Sequence, residues 1–411
     1  MQKTSRKDDS PRIHPVVKAT GFVSLFTDMS SELIYPLLPE FLTTTLGISK
    51  PMFGLIEGLA EGAPAVARYF AGTLSDWVRN RKWLILAGYT LSSATKPFIG
   101  LAKFAGLAAA PFVVLILRFL DRVGKGIRGA PRDGLVADFS ENAQGRAFGF
   151  QRAMDHAGAV GGGLLAFILI GWLKFQISWA IVLSAVPGLL SILTIVFFVK
   201  DKPDRAPKAV SGSRAPGKAA APSGALGRVF GLYVVSASLF ALANSSDAFL
   251  LLRAKEMGMA VVLLPLGWVA LHVSKAVTCY YGGIMSDRLG RKPLLIAGWL
   301  LYAVVYSGFA WLEGWWAPWA LFIVYGVFFG ATEGAAKAFV ADLVPSGARG
   351  RAFGILGMAE GLLLIPTSVA VGWLWSLTGS GRVPLALEAL FAVAAAVWLA
   401  LAVKPARSAR A

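Results

Sequence analysis

Hydrophobic stretches alternate with short polar or Pro- and Gly-containing stretches along almost the whole chain. A transmembrane helix needs about 20 mainly apolar residues, and the pattern predicts twelve of them. They are expected at 16–46, 51–75, 82–104, 110–137, 146–170, 178–199, 228–252, 260–284, 293–312, 316–341, 351–376 and 384–403. The stretch between the sixth and seventh, residues 200–228, is rich in Pro, Gly, Ala and basic residues, which predicts a flexible linker. We therefore expect helical units at 1–199 and 228–411, joined by a linker at 200–227.

Composition places the chain among membrane proteins. Of its 411 residues, 56% are hydrophobic and 15% are charged, whereas soluble domains average about 25% charged residues. The fold class expected is an all-α polytopic membrane protein. The net charge of +17 would suggest nucleic acid binding in a soluble protein. Here the basic residues flank alternate helix ends, as cytoplasmic loops do, so we expect no nucleic acid partner, a plasma membrane location and two cytoplasmic termini.

The two halves of the chain repeat one another. The segment GTLSDWVRNRKWLILAGY (72–89) aligns with GGIMSDRLGRKPLLIAGW (282–299), apart from a one-residue shift in the loop. The segment LVADFSENAQGRAFG (135–149) aligns likewise with FVADLVPSGARGRAFG (339–354). Two halves with the same orientation indicate a parallel duplication.

The loop between the second and third helices of each half carries the pattern G-x-x-x-D-R-x-G-R-K/R. The copy in the second half is complete, with Gly283, Asp287, Arg288, Gly290, Arg291 and Lys292. The first copy keeps Gly72, Asp76, Arg81 and Lys82 but has Trp77 and Arg79 where Arg and Gly are usual. In these motifs the chain resembles the major facilitator superfamily. The resemblance implies twelve helices in two pseudo-symmetric six-helix bundles that rock about a central cavity.

These loop residues are candidates for a conformational latch. A carboxylate at a helix end can face the positive N-terminus of a neighbouring helix and pair with an Arg in one conformation only. The candidates are Gly72, Asp76, Arg81, Gly283, Asp287, Arg288 and Arg291. The alternative is that these charges only set the topology, which would explain the basic residues but not the Asp or the Gly spacing.

The run DRVGKGIRGAPRD, residues 121–133, places many charges in the fourth helix, which already carries Arg118. A charge at the centre of a bilayer costs about 2.5–3.5 kcal/mol on insertion scales, so these side chains should face the bundle interior or water. Arg118, which resembles the Arg common in this helix of the family, is expected with Asp121 and Arg122 to serve substrate binding or coupling. The charges nearer the end of the helix, Arg128, Arg132 and Asp133, are expected to form a gate or an interfacial anchor.

Ionisable residues in other predicted helices extend this candidate site. The full set is Asp28, Glu32, Arg118, Asp121, Arg122, Arg152, Asp155, Lys275, Glu333 and Lys337. Asp28, Glu32, Asp121 and Asp155 are the candidates for a carboxylate that titrates during proton coupling. The alternative is structural ion pairing, for example of Asp28 or Glu32 with Arg118 or Arg152. Glu57 and Lys50 are expected at the outer interface.

The sequence lacks signatures of an enzyme. It has no P-loop, which argues against direct ATP drive, and its three His and one Cys do not suggest a metal site. We expect no cofactor. The prediction is a monomeric secondary transporter, driven by an ion gradient (H⁺ first), for a small anionic or zwitterionic solute. Two alternatives remain: an exporter of amphipathic drugs, which a partial Gly pattern in the fifth helix favours, and a membrane sensor that transports nothing.

Overall fold

The computed structural model describes residues 13–77, 81–140, 144–201, 226–345 and 348–403; within them, the side chains of residues 68–77, 144–145, 280, 283–284 and 287 are not described. Most of the expected linker thus lies outside the described residues. The described part of the chain forms twelve helices. They are α1 Pro15–Ile34, continued by turns at Tyr35–Leu37, Leu38–Glu40 and Phe41–Thr45; α2 Lys50–Trp77; α3 Arg81–Leu101, followed by a turn at Ala102–Ala105; α4 Ala110–Asp138; α5 Gln144–Phe167, continued by Ile168–Trp172; α6 in two pieces, Ile177–Val182 and Ala185–Phe198; α7 in two pieces, Arg228–Ala241 and Ala248–Glu256; α8 Leu264–Leu289, preceded by a turn at Val261–Leu263; α9 Arg291–Trp311; α10 Ala317–Leu343; α11 Arg349–Thr378; and α12 Arg382–Ala402.

Seven of the helices in the described ranges are long and apolar enough to cross a membrane on their own: α5, α6, α8, α9, α10, α11 and α12. The other five are α1 to α4 and α7. The fourth helix carries the charged run of residues 121–133, and α7 is interrupted. These five helices can still cross the membrane, because neighbouring helices rather than lipid surround much of their polar surface.

The helices form two pseudo-symmetric six-helix bundles, α1–α6 and α7–α12. In the first bundle α4 packs on α2 and α3, and α1 packs on α5. In the second, α10 packs on α8 and α9, and α9 also packs on α12. Two pairs provide most of the contact between the bundles, α2 with α11 and α5 with α8. We call the face at which α1 begins and α12 ends the terminal face, and the other the opposite face.

Glycines allow the two bundles to approach closely along α2 and α11. Gly54, Gly58 and Gly62 are spaced by four residues and therefore lie on one stripe of α2. A Cβ at Gly54 would overlap the carbonyl of Ser368 in α11, and one at Gly62 would lie 2.6 Å from the carbonyl of Gly361. Small residues permit such backbone contact in membrane helices. The stripe therefore sets the distance between the bundles.

The sequence prediction of one continuous helix at 228–252 is wrong, because α7 is interrupted between Ala241 and Ala248. We call residues 242–247, Leu-Ala-Asn-Ser-Ser-Asp, the α7 break. Asn, Ser and Asp side chains compete with the backbone for hydrogen bonds, and the backbone N–H of Ser245 donates to Oε1 of Glu388 in α12 at 2.8 Å. Glu388 on another helix thus stabilises the interruption, although the apolar sequence on either side favours a continuous helix.

Candidate functional site

A cavity of about 530 Å³ lies between the two bundles. Its lining includes Tyr233 near the start of α7 and Gly357 near the start of α11, and both of these helices begin at the terminal face. An aromatic wall comes from the second bundle, formed by Tyr233, Phe240, Trp299, Phe328 and Phe329. The cavity therefore offers stacking surface on one side, in the half of the molecule nearer the terminal face.

Four ionisable side chains line this cavity: Glu61, Lys275, Glu333 and Glu360. Glu333 accepts a hydrogen bond from Nζ of Lys337 at 3.2 Å and lies 3.3 Å from Nζ of Lys275. The Lys275 ammonium also lies 4.4 Å from the centre of the Phe329 ring, a cation–π contact. Within the described ranges, Glu360 forms no ion pair. The cavity thus holds charges of both signs beside aromatic rings.

A second group of charges lies deep in the first bundle, and we call it the α2–α4 charge network. Its members are Glu57, Glu61, Lys96, Arg118, Asp121 and Arg122. Arg118 donates from Nε to Oε1 of Glu57 at 2.9 Å and from Nη2 to Oε2 at 2.6 Å. Both side chains are almost completely buried. Such a two-bond pair has both geometric specificity and charge-assisted strength, so it fixes α4 against α2.

Asp121 is the centre of the network. The Ser92 hydroxyl donates to its Oδ1 at 2.6 Å, and the side-chain nitrogens of Lys96, Arg118 and Arg122 lie 3.7–3.8 Å from its carboxylate oxygens. Arg122 also approaches Glu61, with 3.2 Å between Nη2 and Oε1. Three carboxylates, Glu57, Glu61 and Asp121, thus face three bases, and the network is neutral overall. This balance is what allows so many charges to remain at membrane depth.

Two expectations about individual charges are corrected by this arrangement. Glu57 does not lie at the outer interface, because it is fully buried and binds Arg118. The described partners of Arg118 are Glu57 and Asp121 and include neither Asp28 nor Glu32. Arg118 is also only 3% exposed. In this conformation its guanidinium is therefore bound by carboxylates of the protein and shielded from solvent.

The remaining sequence candidates lie where the two bundles meet. Glu32 in α1 accepts a hydrogen bond from the indole N–H of Trp268 in α8 at 2.8 Å and lies 3.8 Å from Nε2 of His272. Arg152 in α5 lies 3.9 Å from both Asp155 and Glu333. Because Glu333 also contacts Lys275 and Lys337, the contact between Arg152 and Glu333 links the first bundle to both lysines of the second. These side chains therefore form two polar bridges between the bundles.

Two candidates differ from this bridging pattern. Asp155 also approaches Arg132, with 3.9 Å between Oδ1 and Nη1, while Arg132 bonds Asp133 and the Ser24 hydroxyl. Asp28 is half-buried in α1 and, among the described side chains, forms no ion pair or hydrogen bond. Asp28 thus remains available for a proton or a ligand.

Contacts between the bundles close the opposite face. Nζ of Lys255 in α7 bonds Oε2 of Glu40 at 2.5 Å. Nζ of Lys50 lies 3.9 Å from Oε1 of Glu256, which also accepts the indole N–H of Trp375 at 2.7 Å. The cavity lies on the terminal side of these contacts. The conformation is therefore one in which access from the opposite face is blocked.

The candidate latch is described only in part. Gly72, Asp76, Gly283 and Asp287 lie in α2 and α8, but their side chains are outside the described part of the structure. Arg288 is exposed.

The other two latch candidates form matching pairs in the two bundles. Arg81 donates from Nη1 to Oδ2 of Asp138 at 2.9 Å, at the end of α4. Arg291 pairs in the same way with Asp342 at the end of α10 and donates to the carbonyl of Ala338 at 3.1 Å. The loop arginines thus bind the ends of α4 and α10.

The buried charged residues that sequence reasoning did not single out include Lys96 and Glu388. Lys96 is 1% exposed, and its Nζ has no hydrogen-bond partner among the described atoms. Glu388 is 2% exposed in α12. Each is the single charged residue of a ten-residue stretch of its helix, LSSATKPFIG at 91–100 and PLALEALFAV at 384–393. Since intramembrane ionisable groups are functional candidates by default, this pattern could have identified both.

Comparison with known proteins decides the family. The model of the Major Facilitator Superfamily matches residues 20–274 and 266–411. The chain belongs to the major facilitator superfamily. A relative described as an uncharacterized MFS-type transporter, from Methanocaldococcus jannaschii, is 33% identical over 384 residues, which cover 92% of each chain. The protein is therefore a multi-pass membrane transporter and not an enzyme.

Other superfamily members resemble it in sequence or in fold. A probable 4-methylmuconolactone transporter from Cupriavidus pinatubonensis is 29% identical over 278 residues, which are 63% of this chain and 60% of the relative. The solved structure of a nucleoside transporter matches with a TM-score of 0.77 and 14% identity, over 94% of this chain and 98% of that one. A D-xylose–proton symporter matches with a TM-score of 0.73 and 15% identity, over 95% and 98%. The structural matches show a common twelve-helix fold.

Proposed function

We propose that the protein is a proton-coupled secondary transporter for a small zwitterionic organic solute with an apolar ring. The observation that carries this proposal is the cavity, where an aromatic wall lies beside an ammonium and a carboxylate that could bind opposite ends of one solute. Lys275 would bind the acidic group of the solute, and Glu360 would bind its amino group. A purely anionic solute would use Lys275 alone.

The geometry supports a different role for the buried arginines than direct binding of the solute. Arg118 and Arg122 are buried and engaged by Glu57, Glu61 and Asp121, so a substrate carboxylate would have to displace a carboxylate of the protein. Removing one partner of a buried ion pair costs about 3–5 kcal/mol. Lys275 is also paired, with Glu333, but its side chain is 21% exposed and Glu333 would keep Lys337 as a partner. We therefore assign the α2–α4 charge network, including Glu61, to holding the first bundle rigid, and Lys275, Glu333 and Glu360 to binding.

Proton coupling requires a carboxylate that can exchange protons as the cavity changes sides. Asp28 and Glu360 support this role, because neither forms an ion pair among the described side chains. Glu360 also lines the cavity, so a proton there would compete with the amino group of a solute. Such competition would link solute movement to the proton gradient.

A second candidate function is the export of amphipathic cations. It is favoured by Glu360, which lines the cavity and has no ion pair among the described side chains, so that a cation could bind it without displacing a base. A stretch of one relative points the same way. A class C tetracycline resistance protein of Escherichia coli is 34% identical, but over only 96 residues, 23% of this chain. This candidate differs from the first because it does not need Lys275.

Three phenyl compounds of different charge separate these functions. Phenylalanine is a zwitterion, phenylpropionate an anion and phenethylamine a cation. Each would be titrated into the purified full chain with intrinsic tryptophan fluorescence as the readout, since Trp299 lines the cavity. We expect phenylalanine to bind best. Lys275→Met should weaken binding of phenylalanine and phenylpropionate by about tenfold, roughly 1.4 kcal/mol, while Glu360→Gln should weaken phenylalanine and phenethylamine.

Matched controls lie outside the cavity. Lys103 binds the Ser178 hydroxyl at 2.8 Å near the opposite face, and Glu313 lies in the loop after α9. Lys103→Met and Glu313→Gln should leave all three affinities unchanged. Binding of phenethylamine alone, dependent on Glu360 but not on Lys275, would favour the exporter. A purified protein that binds none of the three compounds contradicts the zwitterion proposal.

Orientation, domain organisation and oligomeric state complete the proposal. We propose that the terminal face is cytoplasmic, that residues 200–227 join the bundles on that side, and that the chain acts as a monomer in the plasma membrane. The distribution of basic residues supports this orientation. Reporter fusions after Gly212 and Ala411 should both report the cytoplasm; an external signal from either contradicts it.

A further inference from the structure

The α7 break collects oxygen atoms at membrane depth. Four of its six residues, Asn244, Ser245, Ser246 and Asp247, carry side-chain oxygens. The first piece of α7 ends here, at Ala241. The Ala241 and Ala243 carbonyls accept hydrogen bonds from the Thr367 and Tyr302 hydroxyls, whereas those of Leu242, Asn244 and Ser245 have no donor among the described atoms. In membrane transporters, interrupted helices with free carbonyls are places where monovalent cations bind. The break therefore has the local chemistry of a cation site.

Two buried oxygens next to the break lack hydrogen-bond partners. Oε1 of Glu388 accepts the backbone N–H of Ser245, but its other oxygen, Oε2, has no partner among the described atoms. The hydroxyl oxygen of Ser245 also lacks one. These residues are 2% and 3% exposed, respectively. A buried polar atom without a partner costs about 1–3 kcal/mol, more when charged, so an additional ligand at this position would be stabilising.

Within the described ranges, neither of the carboxylates at the break, Glu388 and Asp247, forms an ion pair with a base; Asp247 accepts a hydrogen bond from the Tyr325 hydroxyl at 2.6 Å. This differs from the α2–α4 charge network, where three carboxylates face three bases. Burying a charge is costly unless it is paired. A bound cation would supply the missing positive charge.

The break also separates two cavities. Ala241 and Asn244 line the central cavity. Leu242 and Glu388 line a pocket of about 290 Å³ on the other side of α7, between α11 and α12. The break therefore borders the central cavity through Asn244 and the smaller pocket through Leu242.

We propose that the α7 break and Glu388 form a binding site for a sodium ion, with ligands from the Glu388 carboxylate, the Ser245 hydroxyl and backbone carbonyls of the break. The donors are all oxygens, which suit a hard cation. Mg²⁺ is less suitable, because it keeps several waters and near-octahedral geometry. This inference goes beyond the proposed function and does not depend on it, because ion binding can be measured without a transported solute.

The test is direct binding of radioactive sodium to the purified full chain at pH 8, with choline chloride to hold the ionic strength constant. We expect saturable binding that potassium displaces poorly. Glu388→Gln should weaken it by at least tenfold, and Ser245→Ala by several-fold. Gln keeps an oxygen that can accept the Ser245 N–H, so the break should remain folded. Glu313→Gln, a change of a carboxylate outside both cavities, should leave sodium binding unchanged.

Thermal unfolding gives an independent readout. Replacing choline chloride by sodium chloride should raise the midpoint of the wild type and of Glu313→Gln, because a ligand that binds only the folded state stabilises it. The midpoint of Glu388→Gln should not change. Absence of saturable sodium binding by the wild type overturns the proposal, and so does equal binding by Glu388→Gln. A midpoint that depends on pH through Glu388 but not on sodium also overturns it, by assigning the position to a proton.

Discussion

At three matching positions of the repeat, the first bundle has polar or charged residues and the second bundle has tyrosines. When the alignment of the halves is extended along α3 and α4, Ser92, Lys96 and Asp121 fall on Tyr302, Tyr306 and Tyr325. In the first bundle Lys96 and Asp121 belong to the α2–α4 charge network, and Ser92 donates a hydrogen bond to Asp121. In the second, the three tyrosines form a cluster in which the rings of Tyr302 and Tyr306 stack at 4.0 Å.

The difference shows how one helical framework supports two tasks. The two-bond pair of Glu57 and Arg118 restrains α2 against α4, and the contacts of Ser92 and Lys96 with Asp121 restrain α3 against α4. Aromatic rings have no charge partner to satisfy, and the second bundle provides the aromatic wall of the cavity. We infer that at these matching positions the first bundle is held together by charge pairing and the second by packing and single hydrogen bonds. Substitutions at matching positions can test this inference.

The largest effect is expected for Arg118→Ala. The change leaves Glu57 as a buried charge without its two-bond partner, and breaking such a pair costs about 3–5 kcal/mol of the free energy of unfolding. The double change Glu57→Leu with Arg118→Met should recover more than half of this loss, because neither charge then remains unpaired. Thermal unfolding of the purified variants measures both values. A double variant as unstable as Arg118→Ala would show that packing, not charge pairing, holds the first bundle.

A smaller effect is expected when one hydroxyl is removed from a carboxylate in each bundle. Tyr325→Phe removes the donor to Asp247, which has no base as partner among the described side chains, so we expect a loss of about 1.5–3 kcal/mol. Ser92→Ala removes the donor to Asp121. Because Asp121 keeps three bases nearby, we expect a loss of only about 1 kcal/mol in the free energy of unfolding. Denaturant unfolding would give the two values. The reverse order would contradict the contrast between charge pairing in the first bundle and single hydrogen bonds at the matching positions of the second.

A third pair of changes compares the ends of α4 and α10. Asp138→Asn breaks a pair whose Arg81 and Asp138 side chains are 10% and 26% exposed, and should cost about 1 kcal/mol. The Arg291 and Asp342 side chains are 31% and 53% exposed, so solvent screens this pair more and Asp342→Asn should cost about a few tenths of a kcal/mol. Thermal midpoints at low and high salt measure the difference. Equal losses would mean that burial does not distinguish the two loop arginines.

The smallest effect is expected for Lys337→Ala in α10. Its Nζ binds Glu333 four residues earlier, and the Lys337 side chain is 60% exposed. Exposed pairs with this spacing contribute about 0.3–0.5 kcal/mol. Lys275 stays near Glu333, so the cavity keeps a base. A loss above about 1 kcal/mol, measured by thermal unfolding, would give Lys337 a structural role that its exposure does not predict.

Sequence patterns predicted the helices better than the partners of their charges. The apolar runs placed all twelve helices within a few residues, and the repeated loops identified the superfamily. The interruption of α7 was missed because its residues lie between apolar flanks and its partner, Glu388, lies far along the chain. The pairing of Arg118 with Glu57 was missed for a similar reason. Glu57 seemed interfacial from its position in the helix alone, while the tilt and depth of α2 depend on packing against α11.

The amino-acid sequence by itself determined the membrane class, the twelve-helix framework and its duplication, because hydropathy and helix length are local properties that the bilayer imposes on each segment. It also indicated that the charges of α4 had to face the bundle interior. Only the tertiary structure decided which carboxylate each base binds and which charges line the cavity. Those outcomes depend on distances between residues such as Glu57 and Arg118, or Ser245 and Glu388, that become neighbours only when helices pack.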